Sequence, residues 1–208
     1  MAKREESGQE LSQYAQQLIE EKDQKAFVEK IMSMGHESVL EHASFTFLVS
    51  GVSRVLLAQL TRHRIASYSV ESQRYVSYGE GFDYVIPPKI KQLGPEYVET
   101  YQAQMEQMHY WYNEWCSLLD DKTEDARFVL PGATSTRLLV TMNARELRHF
   151  FSLRCCNRAQ WEIRNMADQM LERCKTVAPQ LFEDAGPGCV RGHCPEGKRS
   201  CGHPRMKA

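Results

Sequence analysis

The chain has 208 residues, of which 42% are hydrophobic and 25% are charged, and its formal net charge at pH 7 is -1. These values are ordinary for a soluble globular protein, and the length suits one domain better than two. No apolar run approaches the roughly 18 residues that span a bilayer, and the polar start of the sequence lacks the apolar core of a secretion signal. We therefore expect a cytoplasmic protein that is not bound to a membrane.

The arginines are unevenly distributed along the chain. Twelve of the sixteen lie between residues 54 and 173, whereas acidic residues dominate the stretches on either side of the first arginine cluster. A basic surface for nucleic acid would spread such charge over one face. The local concentration instead indicates one anionic ligand, and we expect no nucleic-acid partner.

Composition divides the chain into three parts. Residues 1–22 are a polar lead, residues 23–185 carry the hydrophobic patterns of the domain, and residues 186–208 form a tail rich in Cys, His and Gly. The odd total of seven cysteines favours reduced thiols over a disulfide framework. Cysteines 189, 194 and 201 do not have the tight spacing of a zinc knuckle, so we expect no metal, with a zinc site left as the alternative.

Three strands are predicted within the domain, near residues 43–50, 82–86 and 136–142. The first contains alternating Phe and Val residues, and the second stops at Pro87-Pro88. The stretch between residues 62 and 75 is interpreted as a loop. These strands predict a small sheet with helices around it.

Helices are predicted between the strands. Asp23 can cap the first, residues 52–61 form the second, and Pro95 begins a long third helix. Apolar and aromatic residues recur every three or four positions between residues 97 and 119, which indicates a core-facing or subunit-facing stripe.

The last helical region begins at Asn143, and its polar residues predict an interruption. Arg145 and His149 are four residues apart and share a face, whereas Arg154 lies nine residues from Arg145 and falls on the opposite face. Asn157 followed by Gln160 is typical of a new capping box. We therefore predict a break near 154–157 that turns Arg154 out of the helical repeat toward a ligand.

The stretch from Arg62 to Tyr75 carries the densest polar chemistry. It holds three arginines, one histidine, three serines and two tyrosines, with Glu71 as its one acid. Arginine offers paired donors that match phosphate oxygens, so the composition suits a phosphate-bearing ligand, although a solvated basic loop is the alternative. We interpret it as half of a nucleotide site, with an arginine-rich stretch between residues 127 and 158 as the other half.

The spacing of Arg62-His63-Arg64, Ser72 and Arg74 resembles the signature of flavin-dependent thymidylate synthases, in which seven residues separate Arg-His-Arg from the serine. The resemblance covers roughly residues 33–185, and its motifs occur in the family's order. The further matching segments are Ser38, Glu41–Phe45, Ala126–Pro131, Asn143–Arg145, Phe150, Leu153-Arg154 and Asn157–Ile163.

The resemblance implies an α/β (α+β) fold with a small, mostly antiparallel sheet flanked by long helices, assembled as a homotetramer with active sites at subunit interfaces. It implies that Arg154 is catalytic and acts on the pyrimidine ring. The implied FAD contacts are Ser38, Arg62, His63, Arg64, Asn143, Arg145 and His149. The implied contacts to deoxyuridylate (dUMP) are Gln59, Arg62, Ser69, Glu71, Ser72, Gln73, Arg74, Arg127 and Arg154.

The activity implied by the resemblance is reductive methylation of dUMP to dTMP. In this reaction 5,10-methylenetetrahydrofolate donates the carbon, and NADPH-reduced FAD supplies the hydride. The family does not assign Cys155 or Cys156 a nucleophilic role, so we expect both to be packing residues. Val70 stands where the family commonly has Glu or Gln, so a flavin contact there could involve only the backbone. A flavin-binding homologue without synthase activity and a module that binds single-stranded nucleic acid are the alternatives.

Overall fold

A computed structural model of the protein describes residues 11–21, 23–76, 78–120 and 123–205, so half of the predicted polar lead, residues 1–10 and 22, lies outside the described residues. None of the described helices is long and apolar enough to cross a membrane. The helices are α1 (Leu11–Glu21), α2 (Gln24–Ser33), α3 (Arg54–Leu60), α4 (Pro88–Leu93), α5 (Pro95–Leu118), α6 (Thr123–Ala126), α7 (Ala144–Arg154), α8 (Trp161–Val177) and α9 (Pro179–Phe182). The strands are β1 (Ser44–Ser53), β2 (Ala66–Val70) and β3 (Ser135–Asn143). Short 3₁₀ segments cover Glu37–His42, Arg127–Val129, Gly188–Arg191 and Gly197–Arg199.

The three strands form one antiparallel sheet in the order β1-β3-β2, so β3 is central. Alternate residues of β3, namely Leu138, Val140 and Met142, are buried on the inner face. These residues share one side of the sheet because side chains alternate along a strand. That side packs against α7 and α8 in the hydrophobic core. The predicted combination of helices with a small antiparallel sheet is confirmed.

Two of the three predicted strands are present, and the third strand of the sheet forms at a different place in the sequence from the one predicted. β1 and β3 coincide with the predictions near residues 43–50 and 136–142. The prediction for residues 82–86 is wrong, because this segment forms only an isolated bridge between Tyr84 and Thr134. The third strand is β2, which we had interpreted as loop. Its polar residues face outward, while Tyr68 and Val70 pack against the core.

The predicted break after α7 is confirmed, although its details differ from the prediction. α7 ends at Arg154, which is its last helical residue and is not turned out of the helical repeat. Gln160, and not Asn157, caps α8, because its side-chain oxygen accepts from the amides of Glu162 at 2.9 Å and Ile163 at 3.1 Å. The Asn157 side chain instead donates to the carbonyl of His203 at 2.8 Å.

A buried carboxylate joins the end of β1 to α8. Both oxygens of Glu162 accept hydrogen bonds at 2.6 Å, one from the amide and one from the hydroxyl of Ser53. The Ser53 hydroxyl also caps α3 by accepting from the amide of Leu56 at 3.2 Å. Glu162 is only 6% exposed. A single side chain thereby fixes the sheet, the start of α3 and α8 relative to one another.

Replacing Glu162 with alanine is expected to lower the free energy of unfolding by about 2–4 kcal/mol, because two buried donors of Ser53 lose their acceptor. Urea denaturation of the purified protein measures the change. Glu172→Ala is the matched control, since Glu172 is an exposed residue of the same helix. Equal unfolding midpoints for the two variants would show that the Ser53 contacts do not stabilise the fold.

The aromatic stripe on α5 is only partly buried. Met105 and Tyr112 are buried, whereas Tyr97 and Trp115 are nearly half exposed. On its inner side the helix packs against the chain between residues 78 and 84, where ring contacts join Tyr84 to Tyr101 and Phe82 to His109. The predicted stripe therefore covers the segment that follows β2 and leaves aromatic surface on its other side.

Candidate active site

The junction of β3 and α7 orients the first group of predicted site residues. The Asn143 side chain accepts from the amide of Glu146 at 2.9 Å and so caps α7, as its short polar side chain favours. The first turns of the helix then present Arg145, Glu146 and His149. Because the cap uses the side-chain oxygen of Asn143, its amide nitrogen is left to donate to a ligand.

A cavity of about 690 Å³ opens beside this junction. Arg145 forms ion pairs on its rim with Glu41 and, at 3.7 Å, with Glu37, both from the 3₁₀ segment Glu37–His42 that also contains Ser38. The Glu41 pair raises the pKa of Arg145, and Glu37 adds to this effect. The lining residues are Glu37, Glu41, Ile65, Asn143, Arg145, Glu146, Arg148, His149, Ser152 and Arg191.

A chain of three hydrogen-bonded side chains begins at Glu146 in the lining of this cavity, and its first two members are buried. His63 is 5% exposed and stands between Glu146, whose Oε1 lies 3.0 Å from Nδ1, and Arg154, whose Nε lies 3.0 Å from Nε2. A guanidinium can only donate, so Nε2 of His63 accepts, and its proton is on Nδ1 and is donated to Glu146. His63 is thus held in one neutral tautomer and links a carboxylate to the predicted catalytic arginine.

The surroundings of His63 favour its neutral form. Burial lowers its pKa from the ordinary 6.5, and the charge of Arg154 and the neighbouring His149 act in the same direction, while Glu146 opposes them. Stability that depends on neutral His63 is therefore present above about pH 6.5 and is lost as the pH falls through the lower, folded-state pKa.

The stability of the wild-type protein is expected to fall more steeply than that of His63→Gln as the pH falls below about 6.5, since only the wild type must protonate a buried imidazole. Urea denaturation at successive pH values measures the two slopes. Other acid-sensitive groups are common to both proteins and cancel in the comparison. Parallel slopes would contradict the burial of a neutral His63.

Arg154 is held by its inner edge. Besides the bond to His63, its Nη2 donates to the carbonyl of Gln59 at 3.2 Å. Two of the five guanidinium N–H groups are thereby used, which leaves three for a ligand. Burial lowers the pKa of Arg154, and the nearby charge of Arg62 lowers it further. The partly buried Arg154 and the exposed Arg62 are neighbouring cations, and together they favour an anionic ligand.

Tyr68 of β2 holds the turn that carries Arg62, His63 and Arg64 through hydrogen bonds to its backbone. The Tyr68 hydroxyl lies 2.9 Å from the carbonyl oxygen of Leu60 and 2.8 Å from that of His63, so its single O–H is shared between them. Burial raises the pKa of Tyr68 to about 12. With His63 turned inward, Arg62 and Arg64 are exposed on the outer side of the turn.

The residues after β2 lie in a different part of the surface. The Glu71 carboxylate accepts from Nε of Arg137 at 2.9 Å and is half buried, so its side chain is already engaged within the subunit. Val70 packs against the core and offers no side-chain polar group. Ser69 is exposed on the outer face of β2, and Gln73 lies in the turn that follows Ser72.

Ser72 and Arg74 adjoin α6. The Ser72 hydroxyl accepts from the amide of Arg74 at 3.1 Å, and Nε of Arg74 lies 3.0 Å from a carboxylate oxygen of Glu124. Arg127 begins the 3₁₀ segment that directly follows α6. In residues 11–205, apart from the undescribed positions, no hydrogen bond or ion pair joins Arg74 or Arg127 to Arg154. Within the described residues, Arg74 is therefore bonded to α6, and Arg154 is bonded to His63 and Gln59.

The sequence interpretation missed Glu146. Its contact with His63 spans 83 positions, which no local pattern reveals. The sequence does show that Glu146 lies three residues after the helix cap Asn143. An acidic residue at that position is commonly explained by helix capping alone. The thiol of Cys155, by contrast, was expected to be a packing residue. It is fully buried, and burial raises its pKa, which opposes the thiolate that a nucleophile requires.

In the part of the chain that the structure describes, no three His, Cys, Asp or Glu side chains form a cluster that could hold a metal ion. Cysteines 156, 189 and 194 line a second cavity of about 290 Å³, together with Arg154 and Arg158. This cavity lies between the end of α7 and the C-terminal segment.

A family model described as "Thymidylate synthase complementing protein" matches residues 2–180 of the chain. The flavin-dependent thymidylate synthase of Geobacter sulfurreducens is 55% identical over 183 residues, covering 86% of this chain and 77% of the relative. The chain belongs to the flavin-dependent thymidylate synthase family. The flavin-dependent thymidylate synthase of Clostridium tetani is 48% identical over 207 residues, covering 92% of this chain and 82% of the relative.

Membership of the flavin-dependent thymidylate synthase family confirms the resemblance carried by the Arg62–Arg74 motif. The chain is therefore an enzyme, and its activity is flavin-dependent thymidylate synthesis. Against this background, the interpretation as a module that binds single-stranded nucleic acid is disfavoured. The roles of individual residues rest on the geometry of the site.

Proposed function

We propose that the chain converts dUMP to dTMP with 5,10-methylenetetrahydrofolate as the carbon donor and NADPH as the reductant, through FAD bound in the 690 Å³ cavity. The observation that carries the proposal is the hydrogen-bonded chain from Glu146 through His63 to Arg154, which ends beside Arg62. It supplies a fixed cation at the edge of a site rich in phosphate-binding groups.

The donor set of the cavity fits a flavin nucleotide. Arginine guanidinium groups match a diphosphate, and amide and imidazole groups such as those of Asn143 and His149 can bond to the polar edge of an isoalloxazine ring. Of the FAD contacts predicted from the motif, Asn143, Arg145 and His149 line this cavity and would hold the cofactor, whereas Ser38, Arg62, His63 and Arg64 are not part of the lining. Both ring nitrogens of His63 are already bonded, so its proposed role is to position Arg154 rather than to bond to FAD. When bound, the flavin supplies the hydride chemistry that no amino-acid side chain provides.

The role of Arg154 follows from the direction of its free N–H groups. Methylation at C5 of uracil requires electron density at that carbon, and a cation beside the ring carbonyl and N3 stabilises the enolate-like form in which this density resides. Nε and one N–H of Nη2 are bonded inside the protein, so the other edge of the guanidinium can face the pyrimidine. Arg62 adds positive charge next to it.

The proposal is tested with the purified protein in two steps. A flavin absorbance spectrum shows whether FAD is bound, and release of tritium from dUMP labelled at C5 shows whether that carbon is substituted. Tritium release that requires both methylenetetrahydrofolate and NADPH supports the proposal. A colourless protein, or a flavoprotein without tritium release, would contradict it, and NADH in parallel reveals the nicotinamide preference.

We further propose a homotetramer whose active sites combine residues of several subunits. The outer face of the sheet supports this, since the cross-strand partners Leu48 and Leu139 are 72% and 47% exposed. Exposed apolar surface of this kind on a regular element is typical of an interface. Arg74 is bonded to Glu124 and not to the groups around Arg154, which also suits a site completed by neighbours.

Leu48→Asp is expected to dissociate the assembly, because it puts an unpaired charge into the apolar interface. Size-exclusion chromatography with light scattering measures the mass of the particle. Leu93→Asp is the matched control, because Leu93 is 62% exposed and lies at the end of α4, outside the sheet. A Leu48→Asp protein with the wild-type mass would exclude the sheet face as an interface.

A further inference from the structure

We infer that the C-terminal segment, residues 186–205, is part of the nucleotide site and that its Arg191 binds a phosphate of the flavin. This inference rests on the proposed function, because it takes the cavity beside α7 as the flavin site. The segment lies beyond residue 180, where the match to the family model ends. None of the site residues implied by the sequence motifs comes from it.

Arg191 lines the same 690 Å³ cavity as Asn143, Arg145 and His149, although it follows them by more than forty positions in the sequence. It is the last residue of the 3₁₀ segment Gly188–Arg191 and is exposed. The residues around it, including Pro187 and Cys194, border the second cavity beside Arg154. The segment therefore borders both the cavity assigned to the flavin and the guanidinium assigned to the pyrimidine.

Polar contacts fix the segment to the domain. Arg205 makes a paired contact with Asp168 of α8, at 2.6 and 2.9 Å, and a third bond of 3.0 Å with Asn157. Arg158 lies 3.0 Å from Glu196. Residues 188 and 195 are in direct contact, because a Cβ built on Gly188 would lie 2.6 Å from the ring of Pro195. Arg191 is thus carried by an anchored turn.

The charges around the cavity explain why Arg191 is needed there. The lining contains three glutamates and three arginines. Arg145 is paired with Glu37 and Glu41, and Arg148 donates to both oxygens of Asp184 at 2.7 and 2.9 Å. The charge of Arg191 helps Arg148 to lower the pKa of Asp184, but the described residues offer Arg191 no ion pair within 4.0 Å.

Without Arg191 the acidic residues of the lining would outnumber the arginines, and a diphosphate would meet net repulsion. With Arg191 the lining has as many arginines as glutamates, and the guanidinium of Arg191 remains available to an incoming anion. A phosphate is the ligand group that such a guanidinium binds best, through two parallel N–H donors. The geometry therefore assigns Arg191 to the flavin diphosphate.

FAD binding to the flavin-depleted protein, measured by flavin fluorescence during titration, tests the assignment. Arg191→Ala is expected to weaken FAD binding about tenfold, and Arg191→Lys to recover part of the loss. Arg199→Ala is the matched control, because Arg199 lies in the same segment and lines neither cavity. Arg205→Ala removes the anchor and is expected to weaken FAD binding as well.

Each other outcome overturns the inference. FAD binding by Arg191→Ala at the wild-type strength, or weakened only in Arg205→Ala, would leave the segment a structural role alone. Equal losses in Arg191→Ala and Arg199→Ala would indicate a general charge effect. A loss confined to dUMP binding by the FAD-loaded protein would assign Arg191 to the other nucleotide. Absence of FAD binding by the wild type would instead contradict the proposed function itself.

Discussion

Replacing Arg154 with alanine is expected to lower the rate of dTMP formation by about 10²–10³-fold or more, while FAD remains bound. The fixed cation beside the pyrimidine is lost, and preorganised charge of this kind contributes most to the transition state. The Asn143 and Arg145 contacts around the flavin cavity are unaffected. Tritium release from dUMP measures the reaction, and the flavin spectrum of the same sample measures cofactor binding.

Arg154→Lys is the informative control for this result. Lysine keeps the positive charge but cannot bond to His63 and Gln59 while presenting a second planar edge to the ring. We expect it to remain strongly impaired, which would show that orientation matters in addition to charge. Normal turnover by Arg154→Ala would refute the role given to this residue, and loss of bound FAD would indicate that the change disturbs the whole site.

Replacing Glu146 with alanine is expected to lower kcat by about tenfold to a hundredfold with a smaller change in KM for dUMP. A lost hydrogen bond to a charged group corresponds to about 1.5–3 kcal/mol. The reason is indirect. Without the carboxylate, the Nδ1 proton of His63 has no acceptor, and the imidazole no longer presents only its accepting Nε2 to Arg154.

Glu146→Gln separates this positioning role from a merely structural one. The glutamine oxygen can still accept from Nδ1, so the tautomer of His63 and most of the activity should be retained. Steady-state kinetics of both variants over a range of pH gives the comparison, with thermal unfolding as the measure of stability. Equal kcat values for Glu146→Ala and the wild type would show that Arg154 is oriented without this carboxylate.

The parts of the fold that were predictable are those that local patterns determine. β1 and β3 alternate apolar and polar residues, Asp23 and Asn143 are strong helix caps, and the break after Arg154 follows from the polar residues there. β2 escaped prediction because its serines made it resemble a loop. Its strand character depends on pairing with β3, which lies about seventy positions away, and on Tyr68 reaching the core.

The site divides in the same way. His63 and Arg154 were identified through motif spacing, which records functional residue types without their partners. Their contact, and the carboxylate of Glu146 that completes it, depends on the approach of the 62–64 turn to α7. Arg191 could not be predicted from the sequence for a different reason. A basic residue in a Gly- and Cys-rich tail has no periodic signal, and long-range contacts such as those of Arg205 and Glu196 hold its segment against the domain.

Helix α7 carries proposed functional groups at both of its ends, and this limits how the chain can vary. Arg145 near its start and Arg154 at its end are nine residues apart, which corresponds to roughly 13.5 Å along the axis and about half a turn in direction. Inserting or deleting one residue between them would rotate Arg154 by about 100° relative to the flavin cavity. Substitutions on the exposed side of α7 can therefore accumulate over evolutionary time, whereas the number of its residues cannot change without separating the two halves of the reaction.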